Sequence, residues 1–370
     1  MKMLIVVVAV VIGCSHSTPN GQQDARAVSS DTSSVDVGID APADAPNARY
    51  LCGRMPPANA PMPTPPNGTA VCPALIGGIN SITSGGHDRQ FILVLPAHVT
   101  EGERLPVLFM WHWIGGDANA FLVRGEVQAA ADEQHFIAVI PESRGANVFG
   151  TSFNTKWPFD ITQSPDRMTE EFQFFDDMLA CVEAQYTVNQ SCVSSIGVSA
   201  GALFNDQLAQ ARSHQLASFV SLSGGVSATI IKPWVGAARK LPALVLYGGD
   251  GPPAQDGVRD ILGCLGIGMD FSVASNALET ALAHDGHFMI ECKHNCGHVE
   301  PPLESPMGES KYAAMWEFAL NHPYWLPEGQ SPYSMIGLPP AMPAWCGIGM
   351  HSATPRMGAG CPMPENPCTN

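Results

Sequence analysis

Short runs of consecutive apolar residues alternate along this chain with stretches of helical spacing. That alternation constrains the fold more than any other feature. Leu105–Trp111 and Phe136–Pro141 are apolar at nearly every position. A strand with one wet face alternates polar and apolar residues, so runs without alternation belong in a sheet covered on both sides. Similar strands are predicted at 91–96, 193–196, 219–222, 243–247 and 288–291. Helices are predicted between them at 120–133, 172–185, 203–212, 277–283 and 312–320. Phe175, Met178, Leu179 and Val182, for instance, share one side of the second. The order implies the α/β class, with a mostly parallel central sheet and helices on both faces. At 370 residues and 45% hydrophobic composition, the chain can bury a large core as one large domain or two small ones. No internal repeat is visible.

The ends read differently. Lys2 precedes an apolar run, Leu4–Ile12, followed by Gly13-Cys14. This is the build of an export signal, too short to span a bilayer comfortably. Val11-Ile12-Gly13-Cys14 resembles the lipobox of bacterial lipoproteins. The resemblance implies cleavage before Cys14, lipid on its sulfur and a membrane anchor, with Ser15 pointing to the outer membrane. An incidental cysteine would leave an ordinary secreted protein. The expected organisation is a signal at 1–13, a disordered Ser/Asp/Ala/Pro tether at 14–50, a folded domain at 51–325 and an irregular Pro/Cys-rich tail at 326–370. Of 11 cysteines, ten remain besides Cys14, an even number suited to disulfides in an oxidising compartment. Cys52 with Cys72 and Cys181 with Cys192 are plausible local pairs. Cys292, His294, Cys296 and His298 have some metal-ligand character. The second cysteine pair of a structural zinc site is missing, so no metal is expected. A net charge of -16, with Lys+Arg 18 against Asp+Glu 34, argues against a nucleic-acid partner.

The chemistry concentrates at Gly197-Val198-Ser199-Ala200-Gly201. The pentad lies between a predicted strand and a predicted helix, where small residues permit a sharp turn that exposes the serine. Gly225-Val226-Ser227-Ala228 repeats the first four residues, but Thr229 replaces the second glycine, so Ser199 is the expected nucleophile. A serine hydroxyl needs a base, and the base a carboxylate to orient it, in the order Ser, acid, His. His298, just past the last predicted strand, is the expected base and His294 its rival; His284 and His287 are expected at the surface. Asp250, after Gly248-Gly249, is the first choice of acid and Asp256 the second, with Asp270 further on. The backbone N–H of Ala200 is the expected first oxyanion donor, and that of Trp113 or Ile114 the second. Trp111 is expected to pack in the core, and Trp113 to be a wall for an acyl or aromatic group.

On these residues the chain resembles the poly(3-hydroxybutyrate) depolymerase and feruloyl esterase group of α/β-hydrolases. The matching features are the strand with His112 and its glycine-rich sequel, Asp176–Val188, the serine pentad, and Cys292–His298 with Pro301. The likeness covers about residues 85–325. It implies the α/β-hydrolase fold, a Ser-His-Asp triad and carboxylic ester hydrolysis with no cofactor. The ester is a polyester, a feruloylated or acetylated polysaccharide, or a small molecule, and no obligate protein partner is evident. Three positions depart from the pattern: Trp113 replaces a glycine, the pentad is followed by Ala202, and the region after Asp250 lacks the usual acid spacing. Two other functions fit less well. One is a catalytically silent surface lipoprotein holding a polymer, and the other a peptidase, for which this length leaves little room.

Overall fold

The computed structural model describes residues 49–147, 154–228, 230–249, 259–264, 267–304, 309–359 and 361. The export signal, Cys14 and the tether up to residue 48 lie outside the described residues.

Among the described residues nine strands form one sheet in the order β1-β2-β4-β3-β5-β6-β7-β10-β11. They are β1 (Gly78–Ser84), β2 (His87–Val94), β3 (Leu105–Trp111), β4 (Ile137–Pro141), β5 (Val188–Val198), β6 (Ser218–Leu222), β7 (Ala243–Gly248), β10 (Met289–His294) and β11 (Cys346–Ile348). A hairpin of β8 (Ile261–Cys264) and β9 (Ile267–Asp270) stands apart from it. The six strands from β4 through β10 are mutually parallel; β1, β2 and β11 pair antiparallel at the two ends. Parallel strands bring all their C-terminal ends, and the loops that follow, to one edge of the sheet.

Every residue of β3, β4, β6, β7 and β10 is buried, as unbroken apolar runs require. Alternate residues of β3 feed opposite cores. Val107, Phe109 and Trp111 join a cluster with helices α3 (Pro165–Gln185), α4 (Ala200–Ala211) and α5 (Phe271–Asp285). Leu108 and Met110 join another with α1 (Ala118–Arg124), α2 (Val127–Gln134) and α6 (Ala313–Leu320). Among the described residues no helix is long and apolar enough to cross a membrane.

Local chemistry moves several boundaries from their predicted places. Helix α3 starts at Pro165, ahead of the predicted Phe172, because Ser164 caps the N–H of Arg167 and proline suits the first turn. The single helix predicted at 120–133 is two. Glu126 adopts a left-handed conformation, φ +50°, which no continuous helix tolerates. The tail, predicted irregular, contributes α7 (Tyr333–Ile336) and the edge strand β11, which covers the outer edge of β10.

The disulfides overturn the local pairing. Cys52 bonds Cys192 and Cys72 bonds Cys181. The expected partners sit on opposite faces of the sheet: Cys181 and Cys72 belong to the core of α3, Cys192 and Cys52 to that of α6. A disulfide spans only about 5.5 Å between Cα atoms, so neither local pair can form across the sheet. Cys292 bonds Cys346, and Cys296 bonds Cys361. Both cysteines of the metal-like segment are therefore bridged. Among the described residues no group of three His, Cys, Asp or Glu is placed to hold a metal ion.

Candidate active site

Ser199 stands at the end of β5, where the chain turns into α4. Its backbone is at φ +55°, ψ −121°. A non-glycine residue there carries about 1–3 kcal/mol of strain, held in place by its surroundings. The Ser199 N–H donates to Leu222 O at 2.8 Å, and Ser199 O accepts from Leu203 N at 2.9 Å. The flanking glycines are required by contact. A Cβ on Gly197 would lie 2.5 Å from Ala202 Cα, and one on Gly201 would lie 2.1 Å from Trp111 O. The second contact presses the first turn of α4 against the end of β3, so the loop starting at His112 runs beside the serine. Ala202, where the resembled family has glycine, is accommodated because Gly224 faces its methyl group.

The Ser199 hydroxyl lies 2.9 Å from His298 Nε2, and His298 Nδ1 lies 2.6 Å from Asp260 Oδ1. With its proton on Nδ1 and donated to the carboxylate, the imidazole leaves Nε2 as the acceptor facing the serine. Ser199 is only 4% exposed and Asp260 is fully buried. The Phe271 ring stacks on the His298 imidazole, centroids 4.1 Å apart at 16°, and the Phe271 N–H donates to Asp260 O at 2.7 Å. Asp260 Oδ2 accepts from the Ser223 hydroxyl at 2.6 Å and from Gly248 N–H at 3.0 Å. A buried carboxylate needs such donors, because burial without them would favour its neutral form.

The carboxylate beside His298 is therefore Asp260, where the sequence reading put Asp250 first and Asp256 second. Both of those residues lie outside the described residues. The carboxylate that faces His298 does not follow directly on the glycines ending β7: Asp260, just before β8, lies against Gly248. The only local signal was a lone carboxylate against the apolar Ile261-Leu262. Asp270 caps α5 through the N–H of Val273 and pairs with Arg259. Ser223 and Phe271 carry no motif and went unread.

The other candidates fall elsewhere. His294 is buried in β10, where its Nδ1 accepts from Cys296 N–H, and burial pushes it down to about 4, so it stays neutral. His284 is exposed beside Asp285. His287, expected at the surface, is buried, with Nδ1 against Leu241 O, because the chain enters β10 there. Ser227 is exposed in a loop, and its N–H donates to Lys232 O.

Ala200 opens α4, so its N–H has no partner within the helix and lies at the positive end of the helix dipole. Across from it, the loop after β3 is held by buried groups. The Trp157 indole donates to His112 O at 2.8 Å, His112 Nδ1 contacts Trp113 O at 3.1 Å, and Gly116 N–H donates to Trp113 O. Ile114 is buried in the α3 core. The Trp113 ring lies against Gly116, Phe121 and Arg124. Trp111 is wholly buried, its indole donating to the Ser195 hydroxyl at 2.8 Å.

The fold as a whole recurs in solved structures. Native sOPH superposes with a TM-score of 0.59 at 16% identity, over 77% of this chain and 99% of that one. A pOPH variant with a serine replaced by alanine, in complex with pNPB, gives 0.58 at 17% identity over 75% and 96%. The chain has the α/β-hydrolase fold. In this fold the Ser199 turn follows β5 and the loop carrying His298 follows β10. A probable feruloyl esterase C of Aspergillus terreus (strain NIH 2624 / FGSC A1156) is 24% identical over 156 residues, 42% of this chain. The match spans about half of that relative, 52%. No family model matches the chain.

Proposed function

We propose that the protein is an exported serine esterase that cleaves carboxylic esters through an acyl-serine. The observation that carries this reading is the unbroken hydrogen-bond chain from Ser199 through His298 to buried Asp260. Ser199 attacks the ester carbonyl while His298 Nε2 takes its proton. Asp260 holds the ring and stabilises the imidazolium that forms. The N–H groups of Ala200 and of Trp113 or Ile114 receive the oxyanion. His298 then protonates the departing alcohol, and a water activated by the same nitrogen releases the acid. No step asks for a cofactor.

The feruloyl esterase relative favours a feruloylated ester, and the proposed substrate class also takes in acetylated polysaccharide and aliphatic polyester. The four disulfides among the described residues suit an oxidising compartment. Cys14 is the proposed lipid anchor to the cell envelope. The test is a panel of chromogenic esters of rising acyl length, methyl ferulate and a polyhydroxyalkanoate suspension, run on wild type and Ser199→Ala. Turnover of at least one ester, lost in the variant together with phosphonate labelling at Ser199, is the expected result. Turnover unchanged in the variant would discard this nucleophile. Folded protein that takes up no phosphonate would leave only a binding role.

A further inference from the structure

The acid of the relay is held by a residue with no part in proton transfer. Ser223 follows β6 at φ +50°, a conformation that costs a serine free energy. It is 7% exposed, and its N–H donates to Leu246 O at 2.7 Å. On both sides the turn is pinned by Asp206 of α4, whose Oδ2 accepts from the Ser221 hydroxyl at 2.9 Å and from Gly225 N–H at 2.7 Å. The strained turn aims the Ser223 hydroxyl at Asp260 Oδ2.

We infer that Ser223 is a positioning residue for Asp260, its hydroxyl fixing the carboxylate so that Oδ1 alone faces His298. This rests on the esterase reading of the same site. Two donors on Oδ2, the Ser223 hydroxyl and Gly248 N–H, prevent the carboxylate from rotating about its Cβ–Cγ bond. They also draw negative charge toward Oδ2. Without the hydroxyl, more charge sits on Oδ1, against the imidazole, and the protonated ring is favoured. The other titratable groups around this pair are common to wild type and both variants. His294 on β10 stays neutral, Arg259 is engaged with Asp270, and Asp206, raised to about 8, keeps its hold on Ser221 and Gly225 in all three proteins, so a difference between their pH profiles reports the Ser223 hydroxyl.

The experiment compares Ser223→Ala and Ser223→Gly with wild type. Both remove the hydroxyl, but glycine also relieves the positive φ, so loss of folding in the alanine variant would not hide the effect. In both, kcat should fall about tenfold with KM nearly unchanged, the loss expected for one hydrogen bond to a charged group. The acid limb of kcat/KM should move up by about half a pH unit. The downfield proton resonance of the His298–Asp260 hydrogen bond should shift in both. An acid limb and a resonance at their wild-type positions in both variants would overturn the proposal, leaving Ser223 a packing residue. Because the resonance is read without substrate, it tests Ser223 even if wild type hydrolyses no ester, the outcome that would sink the esterase reading instead.

Discussion

Replacing Asp260 with asparagine is the sharpest probe of the relay. The two side chains have the same shape, so the outcome turns on hydrogen-bond polarity and the lost carboxylate charge rather than on packing. Asp260 Oδ2 receives two donors, Ser223 and Gly248, and both need an acceptor. The asparagine carbonyl oxygen must take that place, which turns the amide nitrogen toward His298 Nδ1. An amide nitrogen only donates, so Nδ1 must become the acceptor and the ring proton moves to Nε2. Nε2, 2.9 Å from the Ser199 hydroxyl, then has no lone pair with which to take its proton. The same tautomer error in a serine protease triad lowers kcat by about 10⁴, which corresponds to about 5.4 kcal/mol of transition-state stabilisation. The expected result is a fall of that order in kcat on a p-nitrophenyl ester, with a parallel loss of phosphonate uptake. The near-ultraviolet circular dichroism should be preserved, since the backbone and both donors remain satisfied. Asp250→Asn and Asp256→Asn should each stay within about twofold of wild type. Near-wild-type activity in Asp260→Asn, with a collapse in Asp250→Asn or Asp256→Asn, would refute the assignment and the tautomer argument together.

Other perturbations follow from the same geometry. Asp206 is wholly buried, and desolvation pushes its carboxyl up to about 8. Its proton is held in the folded state and released on unfolding, so its contribution is fully present below about pH 4 and is lost as pH rises to about 8. Asp206→Asn keeps an acceptor for Ser221 and Gly225 but cannot titrate. In urea unfolding at fixed pH, its stability relative to wild type should therefore rise by about 1.4 kcal/mol per pH unit between pH 4 and pH 8; a flat difference would remove Asp206 as the titrating group. Gly201→Ala must push α4 off the end of β3, since its Cβ would meet Trp111 O at 2.1 Å. Phosphonate labelling should drop by about 100-fold or more, the cost of roughly 1 Å of misplacement, and wild-type labelling would contradict the contact. Replacing Cys296 and Cys361 together by serine opens a disulfide across a sequence separation of 65 residues. It should cost about 2–5 kcal/mol in chemical denaturation and lower kcat more than it changes KM; unchanged stability and kcat would show the tail to be dispensable to the site.

The strands were legible because their burial on both faces leaves an apolar run with no alternation. β3 was read from Leu105 to Trp111, the range the structure gives it. The Ser199 turn was legible for a related reason. The Ser199 turn can be built only where Gly197 and Gly201 leave room for Ala202 and Trp111, so sterics write the motif into neighbouring positions. The nearness of His298 to Ser199 accords with its place after the last parallel strand. The disulfides were not legible, since Cys181 and Cys192 are close in sequence yet separated by the sheet. The break in the helix at Glu126 is marked in the sequence only by Gly125, the cap of the first helix, where a Cβ would meet Phe121 O at 2.8 Å.

Asp260 was missed for a different physical reason, and the same reason explains the tail. A buried carboxylate is stabilised by whatever donors surround it, and those of Asp260 come from Gly248, Ser223 and His298, three separate stretches of chain. No spacing rule can encode such a meeting, because the one position that must be small beside the acid, Gly248, lies twelve residues away along the chain. The histidine loop is held in the same distributed way. Cys292 and Cys296, before His298, are bonded to Cys346 and Cys361, and Arg356 N–H donates to Lys293 O at 2.9 Å. Asn295 donates to Gly358 O, and the Arg356 guanidinium to Asn295 Oδ1. A boundary at residue 325, drawn from the rise in proline and cysteine, therefore separates the histidine from the segment that clamps its loop. Composition marks where regular elements thin out, whereas the clamp is set by long-range bonds. The unit that presents His298 to Ser199 thus extends through Cys361.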